Sequence, residues 1–163
     1  SFCCDIDSDS KAYVTAYCCC TGDTPVTIAA EITGVTSGTS TVTLGGSSCT
    51  IECDQLNTTY SFDNNAQCQW QVNKTFDVDC GGTPTTYEFR FYLYIQTESG
   101  TKYLYLLIAT DTNYVQYLGR MPITEDCCDL ATIVFELGTY LSSSFCTTNL
   151  TASAEMEILS STC

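Results

Sequence analysis

The reactive inventory of this 163-residue chain is dominated by 13 cysteines: Cys3, Cys4, Cys18, Cys19, Cys20, Cys49, Cys53, Cys68, Cys80, Cys127, Cys128, Cys146 and Cys163. Thiols in such number serve metal ligation, redox exchange or cross-linking. Zinc sites want repeated Cys-x(2–4)-Cys pairs, usually with histidine. Only Cys49 and Cys53 have that spacing, and the chain contains no histidine. A thioredoxin-like centre needs Cys-x-x-Cys at a helix start, and that spacing does not occur. Disulfides remain, and they belong to an oxidising compartment: extracellular, cell-surface or periplasmic.

The run Cys18-Cys19-Cys20 bears on what those disulfides join. On a strand, successive side chains alternate faces, so Cys18 and Cys20 are expected to find partners on one side and Cys19 on the other. Neighbouring cysteines rarely bond each other, because a disulfide needs more than one peptide step between its Cα atoms. Cys3-Cys4 and Cys127-Cys128 therefore also read as nodes tying distant segments together. Thirteen is odd, so at least one thiol stays free or joins another chain. With Cys3, Cys4 and Cys163 near the ends, residues 1–12 are the expected extension contacting a neighbouring subunit, as in donor-strand exchange. Head-to-tail contact of that kind builds homopolymers.

Without histidine, neither a Ser-His-Asp nor a Cys-His centre can form, and no HExxH zinc site exists. No enzymatic activity is expected. Two converging carboxylates, as in glycoside hydrolysis, are the one route left open. Asp5, Asp7 and Asp9 alternate as at the start of an EF-hand loop, but Ser10 replaces the glycine and Ala16 the bidentate glutamate. Calcium is the one ion these acids would suit, with Asp77 and Asp79, or Glu125, Asp126 and Asp129, as looser alternatives. A solvated acidic loop is the plainer reading, and no other cofactor is expected. Asn57, Asn73 and Asn149 each open an Asn-x-Thr sequon, which suits glycans on an exported chain. Trp70, the only tryptophan, and Tyr92 with Tyr94 are candidates for stacking on sugars; the alternative is a core anchor and a packed face.

Charge narrows the partners. Lys and Arg total 5 against 19 Asp and Glu, a formal net charge of -14. Nucleic acid and anionic membrane both need a basic face, so neither is expected. The longest apolar run, 103–109, falls well short of the roughly 20 residues of a membrane span. The chain opens Ser1-Phe2-Cys3-Cys4 without a basic, apolar leader, and reads as a processed or excised segment.

These residues must be positioned by strands. Thr-rich alternation recurs at 25–33, 40–44, 57–62, 67–72 and 74–80, with Phe76, Val78 and Cys80 sharing a face of the last. A long hairpin is expected from 85–97 and 101–110 around Glu98-Ser99-Gly100. Tyr87, Phe89, Phe91, Leu93 and Ile95 take one face of its first arm; Glu88, Arg90, Tyr92, Tyr94 and Gln96 take the other. Its second arm is apolar on both faces, as in a strand covered on both sides. Further strands are expected at 113–119, 130–137 and 150–159. About nine to eleven strands with these turns predict a single all-β domain over 1–163: a disulfide-stapled antiparallel β-sandwich, Greek-key or jelly-roll-like.

The Cys doublets, Thr-rich strands, mid-chain Trp70 and closing "AEMEI" strand (154–158) resemble cysteine-rich secreted β-domains of microbial surface proteins and appendages. The resemblance implies an exported, non-catalytic building block. The expected function is an extracellular structural protein: a subunit of a fibre, appendage or surface layer, stabilised by disulfides and glycans. The alternative is a secreted carbohydrate-binding or adhesive module.

Overall fold

The computed structural model describes residues 25–66, 68–110, 115–141, 145–146 and 149–162. Among them, ten strands form: β1 (Thr27–Val35), β2 (Thr39–Leu44), β3 (Ser47–Glu52), β4 (Thr59–Ala66), β5 (Gln69–Asp79), β6 (Pro84–Glu98), β7 (Thr101–Thr110), β8 (Val115–Pro122), β9 (Val134–Glu136) and β10 (Leu150–Thr162). A single helical turn, α1 (Leu137–Tyr140), follows β9, and 3-10 turns occupy Cys53–Leu56 and Cys127–Asp129. The fold is thus all-β, antiparallel and disulfide-bonded, as the alternation and the cysteines predict.

The strands join in one hydrogen-bonded sheet in the order β8-β7-β6-β5-β4-β1-β10-β9, with the β2–β3 hairpin attached to β5. The sheet wraps into a near-barrel, because its two ends meet where Gly119 of β8 bridges Leu141, the residue after α1. Only glycine permits that approach: a Cβ at Gly119 would lie 2.6 Å from the Tyr140 carbonyl oxygen.

Period-2 patterning explains the core. Along β6, Phe89, Phe91, Leu93 and Ile95 are buried, and they meet Leu104, Leu106 and Ile108 of β7 on the same face. Tyr60 packs 4.8 Å from Phe91 and Phe76 packs 5.4 Å from Phe89, in the tilted geometry that aromatic pairs prefer. The β6–β7 turn is tighter than the sequence predicts. Ser99 (φ 50) and Gly100 (φ 83) alone make it, and two positive φ values give the type I′ twist that suits a two-residue hairpin.

Two strand expectations need correction. The segments 67–72 and 74–80 are one strand, β5, because β6 pairs with it without a break from Gln69↔Tyr94 to Asp79↔Pro84. Lys74 does not interrupt it: its Nζ donates to the Thr59 carbonyl (3.0 Å) and sits 5.3 Å from the centre of the Tyr60 ring. Over 130–137 only Val134–Glu136 is strand; Leu130 and Ile133 enter the core from a turn, and Leu137 begins α1.

Candidate functional site at the fork of the sheet

One edge of β5 is fully paired with β6, whereas its other edge changes partner. β4 pairs with Gln69–Gln71 and β3 with Val78 and Asp79, so the sheet forks along β5. A gap in the ladder leaves backbone groups that need partners. Gln55, in the 3-10 turn after β3, supplies them for Asp77. Its Nε2 donates to the Asp77 carbonyl (2.9 Å) and its Oε1 accepts the Asp77 N–H (2.8 Å). Asn57 repeats the device on β1: Oδ1 accepts the Val35 N–H (3.0 Å) and Nδ2 donates to the Val35 carbonyl (2.8 Å). A primary carboxamide carries a donor and an acceptor side by side, as one strand residue presents its own N–H and C=O along one edge, so each side chain acts as one residue of a strand.

Disulfides converge on the same place. Cys49 in β3 is bonded to Cys80 at the end of β5, across strands that share only two register pairs. Cys53, opening the 3-10 turn, is bonded to Cys146, 93 residues away. Cys68 and Cys128 are disulfide-bonded as well. Cys3, Cys4, Cys18, Cys19, Cys20 and Cys163 lie outside the described residues, as do Asp5, Asp7, Asp9 and the 1–12 extension; Cys127 is placed only by its backbone turn.

A cleft of about 570 Å³ opens at the fork, lined by Thr39, Thr50, Glu52, Asp54, Gln55, Asp77, Val78, Asp79 and Pro84. Four carboxylates therefore gather where neither Lys nor Arg lines the wall. Such a surface accepts hydrogen bonds from hydroxyls and attracts cationic groups. No three Cys, Asp or Glu among the described residues are arranged to hold a metal ion, and this covers Asp77 with Asp79 and Glu125, Asp126 and Asp129.

The candidate sugar face looks different from its expectation. Trp70 is fully buried, and its Nε1–H donates to the Pro25 carbonyl (2.7 Å). It is a core anchor, with no ring face left for a sugar. Tyr94 stacks on Tyr105 with ring centres 4.6 Å apart and planes 5° apart, and Tyr103 meets Tyr105 edge-on. Arg120 lies 4.1 Å from the centre of the Tyr103 ring and pairs with Glu98, whose carboxylate also accepts the Tyr105 hydroxyl. Burial, then the neighbouring Tyr105 and Glu98, hold the Tyr94 phenol above the ordinary tyrosine range; burial, then Glu98, do the same for Tyr105. Tyr92 is half-buried on the same outer face.

Asn57 follows the 3-10 turn, Asn73 stands on the outer face of β5 and Asn149 directly precedes β10. The alternation found the buried faces, but no local pattern marks Gln55 and Asn57 as stand-ins for strands. Each acts on a residue 22 positions away. No family model, curated protein or solved structure matches this chain.

Proposed function

We propose that this protein is an exported structural subunit, assembled with copies of itself into a fibre, appendage or surface layer. The observation that carries the reading is the position of the staples. At the fork β3 and β5 share only two register pairs, and there the Cys49–Cys80 and Cys53–Cys146 bonds add covalent links. A sheet reinforced where its ladder is sparse suits a protein whose work is to persist outside the cell. The odd cysteine count supports a bond between subunits.

Size-exclusion chromatography and negative-stain imaging of the native material, with and without reductant, test this. Oligomers or filaments are expected without reductant. Thiol titration of the unreduced, denatured material is expected to find less than one free thiol per chain. A monomer in both conditions, with a full free thiol, counts against assembly.

A second reading is a carbohydrate-binding or adhesive module, and the cleft at the fork supports it better than the tyrosine face does. Its volume lies in the range of small-ligand sites, and its carboxylates and threonines offer partners to sugar hydroxyls. A glycan array tests it; a blank array leaves the structural reading alone.

A further inference from the structure

The three sequons are equivalent in sequence, but the fold treats their side-chain amides differently. We propose that Asn73 is the N-glycan acceptor of the folded protein, whereas Asn57 and Asn149 are structural amides that stay bare. The proposal rests on the exported reading, since only an exported chain meets the glycosylating machinery.

Asn57 uses both ends of its amide on one residue, Val35. To reach the Val35 N–H and carbonyl together, it must present Oδ1 and the Nδ2 hydrogen on the same side as that oxygen. A glycan bond makes Nδ2 a secondary amide, and such amides are trans. The sugar carbon then takes the place of the hydrogen beside the oxygen, which is the one donated to Val35. A glycosylated Asn57 therefore loses this bond and drives a sugar into β1. Transfer onto the unfolded chain does not avoid the conflict, because a chain modified there cannot form the paired Asn57–Val35 bonds.

Asn149 is committed by packing. Its Nδ2 donates to the Ser37 carbonyl (2.9 Å), and its own carbonyl accepts the N–H of Thr36 (2.9 Å) and the Thr36 hydroxyl (3.0 Å). The amide nitrogen lies so close over Gly38 that a Cβ there would collide with it. No room for a sugar remains on that side.

Asn73 differs on every count. It is exposed on β5, and the two-residue period puts the Thr75 hydroxyl of its sequon on the same outer face. Its Oδ1 accepts a hydrogen bond from Gln71 Nε2 (2.8 Å), which a glycan leaves intact because the oxygen is unchanged. Its Nδ2 donates to no protein group among the described residues, and a shallow polar hollow lined by Ser61, Asp63, Asn65 and Gln71 adjoins it.

The test is site occupancy on the full chain secreted from a eukaryotic host. The folded, disulfide-intact fraction is treated with peptide-N-glycosidase in heavy-oxygen water and its peptides are sequenced by mass spectrometry. The expected result is an isotope-marked Asn73 and unmodified Asn57 and Asn149. An unmodified Asn73 overturns the proposal, as does a glycan on Asn57 or Asn149 in that fraction. A companion N73Q variant is expected to be secreted without glycan and to keep the unfolding temperature of the enzymatically deglycosylated protein; a glycan persisting on N73Q overturns the proposal again. Failure here is separate from failure of the exported structural reading. A secretory host offers every sequon to the transferase, whereas that reading stands or falls on the assembly and thiol state of the native material.

Discussion

Removing the Cys53–Cys146 bond with the double substitution Cys53→Ala/Cys146→Ala should cost this fold a large part of its stability. The bond closes a loop of 93 residues. In the chain-entropy account a loop of that size restrains the unfolded chain by about 4.6 kcal/mol at 25 °C. With Cys49–Cys80 intact, the unfolded chain can pass from Cys53 through that bond to Cys146 by a path of about 70 residues, and the figure falls only to about 4.4 kcal/mol. The logarithm makes the result insensitive to further cross-links, since halving a loop removes only about 0.6 kcal/mol. Both sulfurs are buried, Cys53 at 0 % and Cys146 at 1 % exposure, so the alanines also leave a small void. The expected loss is about 4–5 kcal/mol. Trp70 is the only tryptophan and is fully buried, so its emission reports global unfolding in urea. At a slope of ~2 kcal/mol/M the midpoint should fall by about 2 M, and the slope should rise because the freed chain exposes more surface. A loss under about 1 kcal/mol, with Cys49–Cys80 verified as intact, would refute the claim that this bond supplies what the ladder lacks at the fork.

Other perturbations probe the remaining features. Asn57→Asp keeps the acceptor for the Val35 N–H but opposes a carboxylate to the Val35 carbonyl; urea unfolding should show a loss of about 1–3 kcal/mol. Trp70→Phe leaves the buried Pro25 carbonyl unpaired and should cost about 2–4 kcal/mol, with amide exchange fastest at the start of β1, and a variant as stable as the parent would remove Trp70 as an anchor. Stability should fall above about pH 10. Tyr60, Tyr94 and Tyr105 all titrate above the ordinary tyrosine value in the fold, so they keep protons that the unfolded chain releases. Their stabilisation is complete below that pH and is lost as pH rises through the folded values. An absorbance titration of phenolate should show these three ionising at higher pH in the folded protein than in the unfolded chain.

How far the sequence carries can be argued from β5 and its neighbours. The hairpin of β6 and β7 is legible because Phe89, Phe91, Leu93 and Ile95 alternate without a fault, and because Ser99-Gly100 can take positive φ. The unity of β5 is not legible. Asn73-Lys74 looks like a break along the chain, and what bridges it is β6 on the far side, a partner that local pattern does not contain. The same holds for the fork. Which strand lies against an edge is a long-range fact, and Gln55 and Asn57 have meaning only once Asp77 and Val35 are beside them. The cysteines announced cross-linking, yet nothing near Cys53 points to Cys146. Trp70 as a core anchor is one of two readings the sequence allows, and aromatic type alone does not separate it from a sugar platform.

The pairing of β1 with β10 sets how the protein meets mechanical tension. Thr27, at the start of β1, lies opposite Thr162, at the end of β10, so the two outermost strand residues among those described sit together at one pole of the sheet. Pulled apart at these points, an antiparallel pair opens like a zipper: each bond is loaded in turn, and none shares its load with the next. Shear, in which all bonds resist together, is not available to that pull. A filament that transmitted force in through Thr27 and out through Thr162 would peel each subunit from this pole. Subunits of such a filament would hold better if joined through the outer faces of the sheet, or if a cross-link on the terminal side of Thr27 and Thr162 took the tension before it reached the ladder.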